Sequence, residues 1–79
     1  MTARVYALRA WNQLRVTSVP CDYNLREHRR HMLVSLADAW RSADAAVNGD
    51  AYSQLIWMQR ANRESDVAAA EFALSPYGR

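Results

Sequence analysis

Apolar positions recur at helical spacing in three blocks along the chain, separated by two stretches of turn-forming residues. In the first block Ala3, Ala7, Ala10, Trp11 and Leu14 share one side, and Thr2 is placed to cap a helix over residues 2–15. Val5, Leu8 and Val16 fall off that side. The following "VTSVP", β-branched and ending at Pro20, predicts an extended connector.

The second block predicts a helix over 24–47. Asn24 is read as its N-cap, with Glu27 three residues on in a reciprocal capping pattern. Leu33, Leu36, Trp40, Ala43 and Val47 alternate three and four apart, the knob spacing of a helix packed along another helix. Asn48-Gly49 supplies a left-handed stop, and Asp50 is set to cap the next helix. A short-looped αα-hairpin centred on "NGD" is therefore expected.

The third block predicts a helix over 50–74, with a tail at 75–79. Its first turns lack a polar face, because Tyr52, Leu55, Ile56, Trp57 and Met58 point around the whole circumference. A helix apolar on all sides must be surrounded. Three short helices cannot enclose one of their own members, so a second copy or a partner is implied. The polar run "QRANRESD" (59–66) could break this helix, with Ser65 capping a second piece. The expected fold is all-α: one 79-residue domain, a three-helix bundle built on the central hairpin, its last helix open to a break, and self-associating.

Composition agrees. Fourteen alanines against two glycines and two prolines favour helix. The longest strongly hydrophobic run, Leu55-Ile56-Trp57-Met58, is far short of the ~20 residues that span a bilayer. "MTARVYALRAW" has no continuous apolar segment of the kind a secretory signal carries, and the single Cys21 cannot form an internal disulfide. A cytoplasmic protein is expected. All ten basic residues other than His are Arg, which with the many alanines suggests a GC-rich genome, such as that of an actinobacterium or its phage. Charge is asymmetric: residues 1–41 carry +4 (seven Arg, three acids) and residues 42–79 carry −2 (three Arg, five acids).

Candidate chemistry concentrates in "REHRRH" (26–31). His28 and His31 are three apart, with Glu27 before the first, whereas a zinc-peptidase helix needs two His four apart with Glu directly after the first. No third ligand is evident, so no metal or cofactor is expected, and solvated histidines pairing with Glu27 are the favoured reading. Cys21 with either His would make a nucleophile and base, but no orienting group or oxyanion pocket is visible, and no catalytic residue is assigned. Set on a helix, Arg29 falls inside the apolar band, where a bare guanidinium is costly without a partner.

Two functional readings remain. The first is a non-enzymatic protein–protein interaction module that regulates, inhibits or adapts a larger macromolecule, with homo-oligomerisation expected and no membrane partner. Its contact residues would be Arg26, Arg29, Arg30, Trp40, Tyr52, Ile56 and Trp57, combining apolar anchors with Arg in the manner of interface hot spots. The alternative is a nucleic-acid-binding regulator that sets Arg4, Arg9, Arg15, Arg26, Arg29, Arg30 and Arg41 on phosphates. Against it, the helix after the turn leads with apolar residues where base-reading polar ones are wanted, and the C-terminal half is acidic. Gly49, Tyr52, Ala61 and Ala68 echo a tetratricopeptide helix pair, but over less than half the chain, which assigns no family.

Overall fold

The computed structural model describes residues 2–78; Arg79, the end of the expected tail, lies outside them. It is a three-helix bundle of α1 (Ala3–Arg15), α2 (Tyr23–Val47) and α3 (Ala51–Leu74), with no strand among the described residues. α2 is the middle member. α3 packs along it extensively, α1 packs on it over a shorter length, and α1 and α3 do not meet. The molecule is consequently long and thin, 42 × 22 × 15 Å.

Each helix start is set by one side-chain acceptor. The Thr2 hydroxyl takes the Val5 N–H, and the Asp50 carboxylate takes the Ser53 N–H at 3.0 Å, as expected. The cap of α2 is a correction. Asp22, not Asn24, accepts from Leu25 N at 3.0 Å, so the cap lies two residues earlier and the helix begins at Tyr23. Asn24 lies inside the first turn, and its amide reaches across to Glu71 at 2.8 Å. Glu27 thereby loses its capping position and pairs with Arg30. At the hairpin turn Gly49 takes φ +72°, a conformation that an L side chain resists.

α3 runs unbroken through 59–66, so Ser65 caps nothing. The reason lies on its inner side. Residues 54, 57, 61, 64, 68, 71 and 75 repeat three and four apart and form one stripe against α2, where Ala61, Ala68 and Ser75 are buried. The matching stripe of α2 is Asn24, His28, His31, Ser35, Asp38, Ser42 and Ala45, again three and four apart. The hairpin therefore closes on small and polar side chains. Leu36, Trp40, Ala43 and Val47 of the apolar stripe line grooves shared with α1 instead.

Small residues let the two backbones approach, and the approach turns side chains into cross-helix donors. The Ser35 hydroxyl donates to the Ala61 carbonyl and the Ser42 hydroxyl to the Gln54 carbonyl, each at 2.8 Å. His28 donates from Nδ1 to the Ala68 carbonyl at 2.7 Å, its ring tilted against Phe72 with centroids 5.3 Å apart. His31 Nδ1 lies 2.6 Å from Glu64 Oε2, and Arg30 Nη2 lies 3.2 Å from His31 Nε2. The histidines are thus seam residues facing α3, not solvated partners of Glu27.

Candidate interaction surface

Among the described residues the buried apolar set is Ala7, Leu25, Ala45, Ala61 and Ala68. No tryptophan belongs to it. Fourteen large hydrophobic residues are exposed instead, which inverts the usual arrangement of a small soluble domain. The apolar surface is organised in three places.

The first is the outward side of α3. Tyr52, Leu55 and Ile56 lie opposite the stripe that meets α2, and are 76%, 55% and 44% exposed. Further along the same side come Val67, Ala70 and Leu74. The second is an open groove of about 770 Å³ above α2, where α1 and α3 diverge. Its floor is Ala39, Ala43 and Ala46, and Tyr6 and Met58 stand at its sides. The third is a smaller cleft of about 280 Å³ between α1 and α2, lined by Leu8, Trp11, Leu36 and Trp40. The linings are mostly alanine, aliphatic and aromatic side chains, which suits docking of an apolar ridge better than proton or group transfer.

Beside these surfaces is a polar knot that sequence reasoning missed. Asp38 is fully buried in the seam, and its Oδ1 accepts from Arg41 Nη1 at 2.7 Å. Oδ2 lies 3.2 Å from Arg60 Nε, close enough for an ion pair but outside hydrogen-bond geometry. Both guanidinium groups also lie over the Trp57 ring, Arg41 at 5.0 Å and Arg60 at 5.7 Å from its centroid. The signal was present: Asp38 lies on the 24-28-31-35-38-42-45 stripe, a place a carboxylate tolerates only with cationic partners.

The expected contact residues divide into two groups. Arg26, Arg29 and Arg30 lie near the start of α2, level with the end of α3, whereas Tyr52, Ile56 and Trp57 lie at the other end of the antiparallel hairpin with Trp40. At ~1.5 Å per residue the groups are roughly 15–20 Å apart along the axis, too far for one compact anchor. Within the first group, Arg29 meets the Thr17 carbonyl at 2.7 Å and so ties the connector to α2, while Arg30 binds Glu27 and His31. Elsewhere Arg4 pairs with Asp44 at 2.7 Å, and Arg15 lies over Trp11. Trp40 is half-buried in the α1–α2 cleft, Trp57 is half-buried under its two arginines, and Tyr52 and Ile56 are exposed.

His28 and His31 converge on no third ligand: no grouping of three His, Cys, Asp or Glu able to hold a metal occurs among the described residues. Cys21 is free and exposed in the connector. No helix among the described residues is long and apolar enough to cross a membrane. Compared with known proteins, the chain matches no family model, no curated sequence and no solved structure.

Proposed function

We propose that this protein is a small non-enzymatic interaction module that docks on a larger protein as a regulator, inhibitor or adaptor. One observation carries the reading: the described core is four alanines and a leucine, while the large apolar side chains line open grooves and an outward helix face. Exposed apolar surface of that extent on a small chain is the signature of a protein interface. The groove above α2 is the docking surface for the target, because its alanine floor lets a helix or extended segment approach closely between Tyr6 and Met58.

The nucleic-acid alternative is weaker in this geometry. Arg4, Arg15, Arg29, Arg30 and Arg41 each spend their charge or donors on a group within the chain. The test is affinity capture from the native host with the wild-type chain and with Met58→Asp, followed by mass spectrometry and nucleic-acid quantification. A stoichiometric protein held by wild type and lost with Met58→Asp supports the reading. Capture of nucleic acid alone, released as salt is raised, would overturn it in favour of a phosphate-binding regulator.

A further inference from the structure

The outward side of α3 carries a second repeat, independent of the one that meets α2. Residues 52, 56, 59, 63, 66, 70 and 73 alternate four and three apart and read Tyr, Ile, Gln, Arg, Asp, Ala, Ala. At 100° per residue they fall on the side of α3 opposite Ala61 and Ala68. Leu55 and Leu74 flank the stripe at its two ends. The stripe is apolar at its two ends and polar at its middle, and among the described residues α3 packs only on α2, which leaves this side uncovered.

We infer that the second helix is α3 of another copy, packed antiparallel about a twofold axis that lies between Arg63 and Asp66. The order of side chains along the stripe selects this occupant. With Arg63 of one copy beside Asp66 of the other, the twofold repeats the ion pair on the other side of the axis. The same register sets Gln59 beside Ala70, Ile56 beside Ala73, and Leu55 beside Leu74 of the second copy, so larger residues meet smaller ones and the apolar ends close. A parallel arrangement would instead oppose Arg63 to Arg63 and Asp66 to Asp66, and a one-heptad slip would break both ion pairs, setting Arg63 and Asp66 against Ala73 and Ala70 one way or Gln59 and Ile56 the other. The stripe is its own complement only in the antiparallel register.

The exposed area is sufficient for such an interface. A folded monomer of 9.0 kDa is expected to expose about 4,900 Å² from the scaling of surface with mass. This chain exposes 5447 Å². The surplus of about 600 Å² per copy, doubled across a twofold, reaches the lower bound of specific interfaces, about 1,200 Å² in total. The dimer leaves the groove above α2 open on each copy, so this inference goes beyond target docking and fails or holds separately from it.

The test is sedimentation equilibrium of the purified full chain, the Arg63→Asp and Asp66→Arg variants, and an equimolar mixture of the two variants. Wild type is expected as a dimer. Each variant alone faces like charge twice across the axis and should dimerise at least about tenfold more weakly. In the mixture the two aspartates of one variant meet the two arginines of the other, one pair on each side of the axis. Wild-type affinity should then return, a rescue that a merely unfolded variant cannot show. Orientation is read with Cys21→Ser chains carrying Gln59→Cys alone or with Ala70→Cys. Oxidative crosslinking of the double-cysteine chain only supports the antiparallel register. A monomeric wild type, single variants that dimerise as wild type does, a mixture without recovery, or efficient crosslinking through Gln59→Cys alone would overturn the inference.

Discussion

The hairpin closes on small residues, so its sharpest test is an enlargement rather than a truncation. Ala68 is fully buried in the α2–α3 seam, and its carbonyl holds the His28 ring. Ala68→Leu adds three carbons where none has room, forcing α3 outward or the side chain off its rotamer, at a cost of about 1–3 kcal/mol. The cross-helix bonds from His28 to the Ala68 carbonyl and from Ser35 to the Ala61 carbonyl would lengthen with it. The control is Ala69→Leu, one residue along the same helix, on neither the seam nor the outward stripe, and exposed. Helix propensity changes equally in both, so the difference isolates clearance at the seam. Thermal unfolding followed by far-ultraviolet circular dichroism, at one protein concentration, should show Tm falling by about 4–8 °C per kcal/mol for Ala68→Leu and barely moving for Ala69→Leu. Equal melting of the two variants would refute a close-packed small-residue seam.

Further outcomes follow from the same contacts. Ser35→Ala with Ser42→Ala should cost about 1–3 kcal/mol in chemical denaturation, since two buried cross-helix bonds go while the carbonyls keep their intrahelical donors. Gly49→Ala places a side chain at φ +72° and should cost about 1–2 kcal/mol in the same assay, although nothing crowds the new methyl. The Asp50 carboxyl is held below its ordinary value of 3.8 by the Ser53 backbone N–H and then by the Ser53 hydroxyl. Its contribution is therefore complete above that ordinary value and is lost as pH falls through the lower folded value, so the Tm gap between wild type and Asp50→Ala should close across that acid window. Asp38→Leu removes the buried carboxylate together with the need for its cations and should be near neutral or stabilising, whereas Asp38→Ala leaves a void and should lower Tm. If folding is linked to self-association, Tm of the wild-type chain should rise with protein concentration, and a flat series would separate the two.

Three features of the fold were legible because they depend on local rules. The hairpin turn at Asn48-Gly49-Asp50 combines a left-handed glycine with a carboxylate cap, and both act within a few residues. The all-α class follows from propensity and spacing. The over-apolar start of α3 was visible too, as a helix that three members could not enclose. The seam was not legible by the same route, because hydrophobicity was taken as the marker of contact. Asn24, His28, His31, Ser35, Asp38 and Ser42 form a heptad in position but not in polarity. Their role depends on partners 12 to 47 residues away. Whether α3 continued or broke through "QRANRESD" stayed open in the sequence for the same reason: Ala61, Glu64 and Arg60 are held by α2, and that support overrides the polarity of the run. Arg29 posed the right question, and its answer, the Thr17 carbonyl, lies in a connector whose path no periodicity describes.

A polar seam and an apolar exterior are two sides of one solution to the problem of register. Two antiparallel helices with uniform apolar stripes can slide by a heptad at little cost, and an apolar outer face on α3 could then compete with the inner one for α2. Here the contacts exclude both errors. A slip of one heptad in one direction brings the buried Asp38 against Glu64, a second carboxylate, in place of its cations. A slip in the other sets His31 against Trp57 and carries Glu71 past the start of α2, away from Asn24. Rotating α3 to bury Tyr52 and Ile56 would strip Glu64 and Glu71 of their donors and break the bonds to the Ala61 and Gln54 carbonyls, each loss costing about 1 kcal/mol or more. Register specified by hydrogen bonds leaves the large hydrophobic side chains unneeded for the hairpin. They can then be placed on its outside, where they are available to the proposed partner.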